Sequence, residues 1–143
     1  MTTQDNISVF RRIVDELFMN KNPAAFDELL APDFVDHEGV PGVPPTRDGV
    51  KQLLSGVHAA FPDFHIDIEH VVAQDDLVVL MTTWRGTQTG AFMGIPPTGK
   101  QVAWKVFDTI RVVDGKCIEH WGLMDQMSLM QQLGVIPTPD AAS

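Results

Sequence analysis

The 143-residue chain contains no tyrosine, so no phenol can donate a proton or hold an oxyanion in any site it builds. Its single cysteine, Cys117, excludes an internal disulfide and any CxxC metal or redox pair. Cys117 lies in a strand-like run and reads as a small buried hydrophobe rather than a nucleophile. Cations are scarce, with 10 Lys and Arg against 19 Asp and Glu and a formal charge of −9. Nucleic-acid binding needs clustered cations to displace counterions from phosphate, and none are clustered here. Anionic membrane surfaces are disfavoured on the same ground. No run approaches the roughly 18 apolar residues of a membrane span. The polar start MTTQDN is unlike a signal peptide, so the expected location is cytoplasmic.

Catalytic signatures are missing too. HxH, HExxH and CxxC are absent, which argues against a metal site, and the glycine-rich TGAFMGIPPTGK contains neither GK[ST] nor GxGxxG. Ser8, Ser55 and Ser128 sit in helical stretches without a GxSxG elbow. What remains is acid–base chemistry that needs no cofactor.

What the chain does have is a core: 44% of residues are hydrophobic, and mean hydropathy is +0.01. One domain is expected over residues 1–136, with a mobile tail over 137–143. Ile7–Asn20 carries apolar residues at helical spacing. Asn22-Pro23 caps a short second helix that Pro32 stops, and Thr46 caps a third that ends at Pro62. Between them lies an extended piece, Phe34–His37, and a Gly/Pro-rich loop. The second half changes period. Strands are expected over His65–Ala73, Leu77–Thr87, Gln101–Val113 and Lys116–Met124, with Asp114-Gly115 as a hairpin turn. A short amphipathic segment, Met127–Leu133, follows. Three helices before an antiparallel sheet make an α+β domain. Gly86, Gly90, Gly94 and Gly99 stand where such a sheet bends around a pocket.

The most informative anomaly is Asp108, which shares the apolar parity of Val102, Trp104, Val106 and Ile110 and therefore faces inward. There it is either a desolvated base beside Trp104 or a buried carboxylate satisfied by a helix cap or a histidine. Asp125 ends the last strand and reads equally as a pocket-edge acid or base and as a plain helix N-cap. His120 lies five residues earlier with opposite parity, so without a bulge only one of the two faces inward. His37 opens the Gly/Pro loop and is placed to rim a pocket. His70 shares the parity of Ile66 and Ile68 and reads as a core histidine. Trp84, Trp104, Phe92 and methionines would line a cavity suited to a flat apolar ligand.

Several motifs occur in order. They are Phe34-Val35-Asp36-His37, Phe61-Pro62-Asp63, Gly86-Thr87-Gln88-Thr89-Gly90, Gly94-Ile95-Pro96-Pro97-Thr98-Gly99-Lys100, Asp114-Gly115-Lys116, and Glu119-His120-Trp121 followed by Asp125 and Gln132-Leu133-Gly134. Over about residues 7–136 the chain resembles the SnoaL-like polyketide (ester) cyclases, which have the nuclear-transport-factor-2-like cone fold. The resemblance implies three N-terminal helices on a strongly curved, mainly antiparallel sheet that encloses a pocket, and a dimer or higher homo-oligomer formed through the sheet. It also implies an intramolecular aldol closure of an apolar, carbonyl-containing ligand, driven by an aspartate in the last strand and a histidine in the strand before. Asp125 matches that aspartate, whereas a register three residues earlier places Gly122 there. Asp108 stands at the histidine's position, and Gln88 where many relatives have histidine. Asp125, Asp108 and His120 are thus the expected catalytic residues, with His37, Trp84, Trp104, Gln88 and Phe92 against the ligand. The same scaffold is also compatible with an isomerase, dehydratase or hydrolase, or with a non-catalytic binding protein.

Overall fold

A computed structural model describes residues 1–138; of the expected tail, everything from residue 139 on lies outside the described residues. Helix α1 (Thr3–Arg12) starts from a reciprocal capping box in which Thr2 and Asp5 satisfy each other's backbone N–H. The chain then continues as a π-helix over Ile13–Met19, and the Asn20 N–H reaches back five residues to the Asp15 carbonyl at 3.1 Å. This wide coil buries Ile13, Val14, Leu17 and Phe18. Helix α2 (Pro23–Leu29) has the expected Asn22 cap and leading proline.

Pro32 does not end α2. The helix passes directly into strand β1 (Leu30–Asp36), and Pro32 sits in that edge strand where the register with β5 slips, so its missing N–H is tolerated. Helix α3 (Arg47–Ala60) starts at Thr46, whose hydroxyl accepts from Gly49. Strands β2 (His65–Gln74), β3 (Leu77–Thr87), β4 (Gln101–Val113) and β5 (Lys116–Met124) follow, then helix α4 (Gln126–Gln132). Asp75 and Asp114 adopt positive φ in the two tight hairpin turns.

The sheet order is β1-β5-β4-β3-β2. The extended piece expected before the third helix is thus a full strand, pairing parallel to β5, while the other neighbours are antiparallel. This is the α+β cone, with helices over one sheet face and a cavity between the layers.

The ladders slip in three places, one of them in the β1–β5 pairing between Leu30 and Val35, and the other two decide where two histidines point. In β2 the register slips between Ile68 and His70. The extra residue reverses the parity, so His70 is exposed rather than in the core. In β5 the slip falls between the pairs Arg111↔Glu119 and Val112↔Cys117, leaving Ile118 unpaired. Cys117 and His120 are three residues apart, yet the bulge lets both face the cavity. Gly86 stays in continuous register, and its missing side chain admits Phe61, whose Cβ would lie 2.9 Å from a Cβ there.

Candidate active site

The cavity holds about 360 Å³ and is lined mainly by apolar residues from α1, the π-helix, α3 and the sheet. Ionisable groups enter from three strands and one loop: Asp36, Glu38, Asp108 and His120. Position follows from register. Asp108 pairs with Gly122, and Ile110 pairs with His120. Directly opposed residues share a face, so His120 points inward with Ile110 and Asp108. On its other side, β1 sets Asp36 beside His120.

His120 is therefore held between two carboxylates. Its Nδ1 donates to Asp36 Oδ1 at 2.9 Å and its Nε2 to Asp108 Oδ1 at 2.8 Å. Burial alone disfavours the imidazolium, but the hydrogen bonds and charges of Asp108 and Asp36 outweigh it and lift the His120 pKa to about 10. At neutral pH the ring is a cation with both N–H groups spent. Burial would likewise raise the Asp36 carboxyl; the His120 hydrogen bond and charge, with the Glu38 backbone N–H, instead hold it below the ordinary aspartate value.

Glu38 behaves oppositely. Burial pushes its carboxyl pKa up, and the charges of Asp108 and Asp36 add to this against the pull of His120. No donor among the described residues reaches its carboxyl oxygens. Its backbone N–H bonds Asp36 Oδ1 at 3.0 Å, pinning the start of the loop.

The expected residues fall into two groups. Asp108, His120, Trp84 and Phe92 line the cavity. Asp108 is 4% exposed, as its parity implied, but its partner is His120 and not an indole. Trp104 lies four residues away along β4, about 13 Å at strand spacing. It is buried behind the wall, tilted against Phe61 and Trp84.

The structure does not bring Asp125 to the cavity. It is exposed, and its Oδ1 accepts from Ser128 N at 3.0 Å as the cap of α4. His37 points away from Asp36 across β1, stacks on Trp121 at 5.0 Å and approaches Glu119 at 3.5 Å. Gln88 is fully buried, but its amide is consumed within the 89–100 connection. It donates to the Ile95 and Pro96 carbonyls and accepts from Thr98 N and Oγ1. It holds the wall that carries Phe92 rather than touching the cavity.

Asp36 and Glu38 were the residues missed. Period-two alternation continued from Phe34 selects both, since 34, 36 and 38 share one face. Cys117 is 1% exposed and its thiol is pushed up to about 12 by burial, which removes it as a nucleophile. Asp36, Glu38 and His120 offer donor atoms within 4.8 Å of one another. A metal there requires a neutral imidazole nitrogen, so it would have to break one of the two His120–carboxylate bonds.

The arrangement can take up a proton at one end of an apolar chamber and hold the charges that result. Comparisons with known proteins place the chain in a family. The profile of the SnoaL-like polyketide cyclases matches residues 8–133. Nogalonic acid methyl ester cyclase of Streptomyces nogalater is 26% identical over 116 residues, covering 80% of this chain and 86% of that protein. The crystal structure of IdmH, a candidate polyketide cyclase of Streptomyces antibioticus, is 32% identical with a TM-score of 0.77, covering 94% of this chain and 100% of that one. AclR of Streptomyces galilaeus, a candidate hydroxylase, is 26% identical with a TM-score of 0.85, covering 99% of this chain and 88% of that one. Sequence and fold thus agree, and the chain belongs to the SnoaL-like polyketide cyclase family.

Proposed function

We propose that the protein closes a ring in an apolar, carbonyl-containing small molecule by proton transfer alone, an intramolecular aldol reaction. The observation that carries this reading is the Asp108–His120–Asp36 chain at the polar end of an otherwise apolar cavity. Asp108 gives one oxygen to His120, and no donor among the described residues reaches the other. That second oxygen is the base. It takes a proton from carbon beside a carbonyl, and the C–H electron pair becomes an enolate. The enolate carbon attacks a second carbonyl of the same molecule, a C–C bond forms, and the attacked oxygen becomes an alkoxide that must then be protonated. His120 fixes the carboxylate and, as a cation, offsets the negative charge that collects nearby. Asp36 holds the ring from behind.

Between protein and substrate only protons pass, and the C–C bond forms within the substrate, so the reaction as proposed calls on no metal, nucleotide or covalent nucleophile. Positioned proton transfer contributes about 10²–10⁴-fold, and confining both reacting ends of one molecule adds several kcal/mol. The named ester cyclase among the relatives supports a polyketide methyl ester as ligand, while the likeness to a candidate hydroxylase is a reminder that a shared scaffold does not choose the reaction.

The test is turnover of nogalonic acid methyl ester and related aromatic polyketide esters. Wild-type protein is expected to cyclise at least one, with Asp108→Asn slower by about 10²–10⁴-fold. Full activity in Asp108→Asn would remove the mechanism. We also propose that two copies associate through the outer sheet face, where the cross-strand neighbours Phe107 and Leu123 are 48% and 79% exposed.

A further inference from the structure

The aldol step leaves one requirement unmet. Asp108 removes a proton from carbon, but another group must supply one to the oxygen that becomes negative. His120 is poorly suited, because both its N–H groups already bond carboxylates.

Glu38 and Gly122 answer this together. A Cβ built on Gly122 would stand 2.5 Å from Glu38 Oε1 and 3.0 Å from Asp108 Oδ1. The glycine in β5 thus leaves a gap beside Asp108, and the Glu38 carboxyl reaches across from the loop after β1 to fill it. Any other residue at position 122 would evict it. The Glu38 carboxyl is unpartnered among the described residues and lines the same cavity as Asp108. It is also anchored at its backbone by Asp36, the residue that orients His120.

We infer that Glu38 is a second catalytic residue, the acid that protonates the substrate oxygen while Asp108 deprotonates carbon. The inference rests on the acid–base reading above. In the forward step Asp108 gains the carbon proton, and the Glu38 O–H proton passes to the alkoxide or enolate oxygen, leaving Glu38 ionised. The cycle resets when the proton on Asp108 returns to Glu38 through water at the polar end of the cavity. No net proton is gained or lost. Burial beside two carboxylates favours the protonated form of Glu38 at the start of that cycle.

A simple ketone tests this without the natural substrate. 2-Tetralone is flat and apolar, and exchange of its acidic C–H for deuterium, followed by NMR in D₂O, needs a base and is accelerated by an acid at the enolate oxygen. Wild-type protein should accelerate exchange above buffer, and Asp108→Asn should abolish the gain. Glu38→Ala should slow exchange by about 10²-fold or more. Glu38→Gln keeps the size of the side chain and the filled gap but has no proton to transfer, and should be slowed nearly as much as Glu38→Ala, with folding checked by circular dichroism. If Glu38→Ala exchanges at the wild-type rate while Asp108→Asn does not, Glu38 is not the acid and the role of Asp108 stands. A folded Glu38→Gln that exchanges at the wild-type rate would equally overturn the inference. No exchange by the wild type would overturn both this inference and the proposed function.

Discussion

At the scale of single residues, His120 is the keystone of the site because two carboxylates converge on it. Removing it leaves Asp36 and Asp108 buried and facing each other without a cation. Losing one partner of a buried ion pair costs about 3–5 kcal/mol, and His120→Ala should lose about that much in a denaturant titration near pH 7. The pH dependence has a definite sign. The folded pKa of about 10 lies above the ordinary value of 6.5, so the contribution of His120 is fully present below pH 6.5 and lost as pH rises toward 10. Asp36, held below its ordinary value, contributes above that value and loses its contribution in acid. Wild-type stability should therefore fall between pH 6.5 and 10 more steeply than that of His120→Ala, and equal slopes would contradict the pairing. Asp108 was legible from parity alone, since one charged residue broke an otherwise apolar alternation. His120 was not, because its inward direction depends on the Ile118 bulge, and a bulge carries no signal in one-residue alternation. Asp125 misled for a physical reason: an aspartate between strand and helix satisfies the same local pattern whether it caps or catalyses.

At the scale of elements, the strands of the second half were readable nearly to the residue, because Asp75-Asp76 and Asp114-Gly115 turn chemistry fixes where the hairpins close. The first half was less so. The π-helix after α1 and the pairing of β1 with β5 depend on what the segment packs against, not on its own period. The 89–100 connection shows how one polar side chain can organise a wall. Gln88 satisfies three backbone groups and one hydroxyl inside a loop rich in proline and glycine. Gln88→Ala leaves those groups unpaired, at about 1–3 kcal/mol for each that water cannot reach. A melting temperature several degrees lower is expected, with faster amide hydrogen exchange confined to residues 89–100. A melt unchanged from wild type would show that the loop holds its shape without Gln88.

At the scale of the whole molecule, the formal charge of −9 and the apolar outer face act in opposite directions. Repulsion keeps copies apart in general, while Phe107 and Leu123 offer one self-complementary patch where apolar burial can prevail. Leu123→Asp places a charge at the centre of that patch without entering the cavity. Light scattering should report a dimer for the wild type and a monomer for Leu123→Asp, with cavity chemistry retained. A monomeric wild type would rule out the association.

The cavity also has a direction. Its ionisable groups cluster where β1, β5 and the middle of β4 meet, and its indole and phenyl rings gather about four strand residues away around Trp84. For the proposed reaction a fused-ring guest would be seated like a key with one toothed end, and its length would decide which carbon reaches the carboxylates. Shortening the guest by a ring should change the regiochemistry of the product more than its affinity, while broadening it should do the reverse.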